Sequence, residues 1–97
     1  MDFEHVRCCY EEASKLMLIR GGKKKNGEAS TYEELSALYD ALTKAENAYR
    51  AWHLADISTM KPDVAKFVHF QFGAPTIQRI KKILSVILEE MLEVAKL

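Results

Sequence analysis

Residues 30–56 read STYEELSALYDALTKAENAYRAWHLAD, and the spacing of their apolar positions decides the fold. Leu35, Leu38, Leu42, Ala45, Tyr49 and Trp52 follow one another at steps of three and four, the period of a helix with one buried stripe. Ala37, Ala41, Ala48 and Ala55 add a second stripe of small side chains, which lets a neighbouring helix approach closely. Ser30-Thr31-Tyr32-Glu33 matches a capping box, in which serine oxygen and glutamate carboxylate satisfy orphan amide groups reciprocally. A helix running from there to Asp56 is about 39 Å long at 1.5 Å per residue.

The same period appears on both sides. Upstream, Phe3, Val6, Tyr10, Ala13 and Met17 form a helical stripe, with Asp2 and Glu4 near its start and Arg20 near its end to suit the helix dipole. Gly21-Gly22 is expected to stop this helix, leaving Gly22 to Ala29 as a solvated loop. Downstream, Ser58 to Met60 break the pattern, and Pro62 with Asp63 suits the first turn of a short helix over about 62–72. Gly73 and Pro75 punctuate the chain again. A last helix carries Ile77, Ile80, Leu84, Ile87, Met91 and Val94, flanked by Ile83, Leu88, Leu92 and Ala95. The expected fold is all-α, a small up-down bundle of three long helices plus one short one, forming a single domain over residues 1–97.

Composition narrows the function classes. A 48% hydrophobic and 29% charged chain is that of an ordinary globular protein rather than a disordered one. Fourteen basic and fourteen acidic side chains cancel, which argues against a dedicated binder of nucleic acid or anionic membrane. The longest uncharged apolar run, Ile83 to Leu88, is far too short for a membrane span. The N-terminus is acidic where a secretory signal is basic, and no Asn-x-Ser/Thr acceptor occurs. Cys8 and Cys9 are neighbours and make a poor disulfide framework, so a reduced, cytoplasmic setting is expected.

Three groupings could carry chemistry. His5, Cys8, Cys9 and Glu12 lie along one flank of the first helix and are all zinc- or iron-ligand types, with His53 or His69 available to complete a site. Adjacent cysteines point about 100° apart on a helix, so the bland reading, a small buried Cys9 and a surface Cys8, is preferred and no cofactor is expected. Gly22 to Gly27 has the outer spacing of a phosphate loop but lacks the Lys-Ser/Thr that follows one. Its lysines, with Arg20, still form a dense basic cluster: Arg20, Lys23, Lys24 and Lys25 are the candidate nucleic-acid contacts. Phe67, His69, Phe70 and Phe72 suit either a docking surface or, more commonly, a plug for the open end of a bundle. Trp52 likewise reads as core. No strained Gly-x-Ser-x-Gly turn, His-Glu-x-x-His motif or paired carboxylate supports an enzyme.

Association is the leading expectation. The last helix is apolar over a wide arc, with Arg79, Lys81 and Lys82 at one end and Glu89, Glu90 and Glu93 at the other. That order opposes the dipole of a helix starting near Pro75 but is self-complementary in an antiparallel pair. The expected interface is Arg79, Lys82, Ile83, Val86, Glu89, Glu90 and Glu93, in a homodimer acting as an adaptor or regulator. Nucleic-acid association through the basic loop ranks second, and metal binding or redox sensing at His5, Cys8 and Cys9 third.

Overall fold

The computed structural model describes residues 2–96, all of whose regular elements are helical. Helix α1 spans Phe3–Lys25, α2 Tyr32–Ile57, α3 Pro62–Val68 and α4 Ala74–Ala95, with a π-helical turn at His69–Gly73 joining the last two. The long helices run up, down and up. Phe3 at the start of α1 packs edge-on against Trp52 near the end of α2, while Lys23 at the end of α1 reaches Glu34 at the start of α2. Both α1 and α4 pack closely on α2, whereas α1 and α4 are bridged by long side chains.

The core follows the expected stripes. Leu35, Leu38, Leu42 and Ala45 of α2 meet Ala13 of α1 and Ile80, Leu84 and Ile87 of α4. Of the small residues on α2, Ala41 and Ala48 are buried. Leu35, Leu38 and Ile87 are almost fully enclosed, and burying such a side chain contributes about 1.5–3 kcal/mol. Tyr49 and Trp52 are only half-buried, in an aromatic file that begins at Phe3.

Three boundaries differ from expectation, each for a local reason. Helix α1 passes through Gly21 and Gly22 and ends at Lys25, because a glycine permits a stop without imposing one. The residue that ends it is Gly27, at φ +75°. There the Glu28 amide donates to the Lys23 carbonyl and the Gly27 amide to that of Lys24, a Schellman closure. The second helix is capped one residue later than expected: the Glu34 amide donates to Thr31 Oγ1, and the Thr31 amide to Glu34 Oε1. Ser30 with Glu33 offers the same pattern, but Glu34 is the carboxylate that Lys23 also binds, so a tertiary ion pair selects the register.

The third difference shapes the molecule. Gly73 and Pro75 do not break the chain; the short helix continues through the π turn into α4. Pro75 has no amide proton to lose, and the wide turn before it relaxes the carbonyl spacing that its ring would otherwise crowd. Residues 62–95 therefore form one helical run of about 51 Å at 1.5 Å per residue, matching the 52 Å long axis of the molecule. No residue of α3 is buried, so its end of the run stands clear of the core.

The glycines separate by context. A Cβ at Gly21 or Gly22 meets no other group, so Gly21→Ala and Gly22→Ala are expected to stabilise the protein by up to about 1 kcal/mol each. Gly27→Ala is expected to cost about 1–2 kcal/mol, the penalty for an L-residue in the left-handed region. Urea unfolding followed by circular dichroism measures both signs; a loss at Gly21 or Gly22 contradicts the assignment of a continuous helix.

Candidate functional site

The most constrained chemistry in the molecule lies where the end of α2 meets the π turn. His53, on the inward face of α2, is 2% exposed, and its ring is stacked parallel to Tyr49 with centroids 5.8 Å apart. Its Nε2 shares a 2.9 Å hydrogen bond with Nδ1 of His69, the first residue of the π turn. Four residues on, Gly73 lies so close to the same imidazole that a Cβ there would overlap it. The His53 imidazole is held below its ordinary value of 6.5, chiefly by burial and then by His69, with Asp56 acting in the opposite direction. Beside the pair, α2 and α4 open into a cavity of about 300 Å3 that Arg50, Gln78 and Lys81 also line. Arg50 donates to Glu46 at 2.8 Å.

The residues expected at an α4 interface divide between two environments. Glu90 accepts hydrogen bonds from Arg20 and lies 3.2 Å from Lys24, and the Arg20 bond is the main cause of its lowered pKa. It belongs to the link between α1 and α4. Ile83 packs against the core, and with Arg79, Lys82 and Val86 it lines a cavity of about 340 Å3 that Met17 and Arg20 close from α1. Arg79 is near enough to Tyr10 to oppose the rise of that phenol, which burial lifts to about 12. Glu89 and Glu93 are exposed, Glu93 within 3.6 Å of Lys96.

The basic cluster is largely spent inside the chain. Arg20 and Lys24 engage Glu90, and Lys23 engages Glu34, whose carboxyl is drawn down to about 2 by that bond and by the Thr31 amide. Among the described residues only Lys25 of the four makes no ion pair. These lysines also form the last turn of α1, where their charge offsets the helix dipole.

The proposed metal ligands do not converge. His5 Nε2 lies 3.8 Å from Cys9 Sγ, while Cys8 and Glu12 are exposed. Among the described residues no three His, Cys, Asp or Glu side chains gather as a metal site. His53 and His69, each considered only as a supplement to His5, bond to each other instead. Nothing in their sixteen-residue separation marks them as partners, because a π turn between two helices sets their meeting. The aromatic segment also departs from its expected role as a plug. Phe67, Phe70 and Phe72 are 60%, 65% and 60% exposed, and only His69 turns inward.

Among the described residues no helix is long and apolar enough to cross a membrane. No family model, curated protein or solved structure matches the chain.

Two measurements check this geometry. Gly73→Ala should lower stability by about 1–3 kcal/mol through overpacking against the enclosed His53 ring, despite the better helix propensity of alanine. The pH response follows from the depressed His53 value. Below 6.5 the unfolded chain takes up a proton that the folded one refuses, so stability falls as pH drops towards the lower folded value. Above 6.5 both states are neutral and this contribution is flat. The lowered Glu34 and Glu90 values act in a separate window, where their stabilisation is lost only as pH falls below about 4.5. Urea midpoints between about pH 7.5 and pH 5.5 isolate the histidine effect, and an unchanged midpoint across that range contradicts it.

Proposed function

We propose that this protein works by protein–protein association, as a self-associating adaptor or regulator, and that its contact surface is the aromatic turn of the long helix. The observation that carries the reading is the exposure of Phe67, Phe70 and Phe72 within six residues of chain. Full burial of a phenylalanine contributes about 1.5–3 kcal/mol, so covering the exposed part of each is worth roughly 1–2 kcal/mol. Val64 on α3 and Leu54 on α2 are also large and exposed. Charges of both signs stand among them, Lys61, Asp63 and Lys66 on the same segment. A mixed rim of this kind suits a two-fold contact, in which each copy offers the same patch and opposite charges meet across the axis. It suits a polyanion poorly, since that needs an excess of one sign.

The outer charges of α4 provide a second, separable test surface. Lys82 and Glu89 make no ion pair within the described residues, and their order still complements itself in an antiparallel pair. Light scattering on a sizing column at high micromolar concentration should give twice the 11.1 kDa chain mass. Phe67→Ser with Phe72→Ser should return it to the monomer while the helical circular dichroism is kept. Glu89→Lys should leave the dimer intact. A monomer throughout overturns the association reading, and dissociation by Glu89→Lys alone moves the contact from the aromatic turn to α4.

A further inference from the structure

We propose that the cleft beside the His53–His69 pair is a binding site for a small oxyanion, a phosphate, sulfate or carboxylate group. The 300 Å3 cavity is lined by Arg50, His53, His69, Gln78 and Lys81, whose side chains carry N–H groups from three elements, one imidazole N–H being taken up in the His53–His69 bond. Gln78 contributes the lone side-chain oxygen, and neither carboxylate nor hydroxyl lies among them. A cavity so rich in donors is complemented by a ligand rich in acceptors. Leu54, Ala74 and Ile77 give apolar wall that lowers the local dielectric and strengthens charge–charge attraction inside. The volume exceeds what a bare sulfate fills, leaving room for a small molecule that carries the anionic group.

Charge also decides against a metal cation in the same place. One imidazole lone pair is already used in the His53–His69 bond, and Arg50 and Lys81 repel a cation. Arg50 keeps N–H groups beyond the one given to Glu46, because guanidinium carries five. The groups that set the electrostatics are Glu46, Arg50 and Asp56 from α2, His69 from the π turn and Lys81 from α4. With one added proton the histidine pair becomes an imidazolium–imidazole couple and keeps its hydrogen bond. An anion in the cleft favours that proton, so binding and protonation are linked: the site takes up a proton on binding and holds the anion more tightly at lower pH.

Sulfate is the first probe because its charge is constant across the range in which histidine titrates. Titrated at fixed ionic strength against chloride, it should shift the His53 and His69 ring proton resonances saturably. Affinity should rise several-fold between about pH 7.5 and pH 6, with net uptake of about half a proton on average over that range, measured by calorimetry in buffers of different ionisation heat. Lys81→Gln and Arg50→Gln should each weaken binding about tenfold, the loss of one charge-assisted hydrogen bond. Lys25→Gln, at the far end of α1, should change nothing. Acetate repeats the measurement for planar oxyanions. The inference fails if neither anion gives saturable shifts, if the two glutamine variants bind as the wild type does, or if zinc binds the pair and sulfate does not. The two substituted side chains lie outside the buried core, so the outcome does not turn on whether a histidine variant folds.

Discussion

The contact between the His53 ring and the Gly73 backbone is the constraint on which the second half of the molecule depends. It requires a residue without a side chain at position 73 and a flat, enclosed ring on α2. In a regular α-helix, Phe70 and His69 would lie on either side of the direction Gly73 faces, one three and one four residues back. The wider π turn brings His69 into line with Gly73 and swings Phe70 outward, as its exposure records. One inserted residue thus accounts for the inward imidazole, the hydrogen bond to His53 and the outward phenylalanines together.

Continuity through the π turn also changes the electrostatics of α4. If the helix began at Ala74, Arg79, Lys81 and Lys82 would crowd its positive end. It begins at Pro62, where Asp63 is favourably placed, and the three cations lie in mid-helix where the dipole is weak. The adverse dipole at the basic end of α4 is therefore removed, while Glu93 in the last turn still opposes the dipole there. Glu90 answers a different need. It joins α4 to the cationic end of α1, where the backbones of the two helices do not pack closely. A partly buried, bidentate arginine pair is among the stronger forms of such a link.

The fold was legible wherever periodicity was long and one stripe was buried. The Leu35–Ala45 face, the Ile80–Ile87 face and the Val6–Ala13 face all rest on three-four spacing that tertiary packing then used. Punctuation was less legible, because glycine and proline change what a backbone can do without fixing what it does. Gly21-Gly22 remained helical, Gly27 did not, and Gly73-Pro75 passed through a helix. The choice between Ser30 and Thr31 as cap was settled by Lys23, eight residues before Thr31 and on another helix. The histidine cleft was the least legible feature. Its residues come from α2, the π turn and α4, and no single helical period relates them.

The inward and outward faces of the π turn are mechanically one object. Helix α3 contributes no buried residue, so the apolar core does little to hold its position. Its seat is set by covalent continuity with α4, by the His69 bond to His53 and by the fit of Gly73 on that ring. A hydrogen bond of this kind is worth about 0.5–1.5 kcal/mol, small against the stability of the bundle but large for seven residues with no core of their own. The phenylalanines are accordingly presented by a segment whose orientation rests on an imidazole pair. The cleft that the pair lines and the surface that those phenylalanines form share a single turn of backbone.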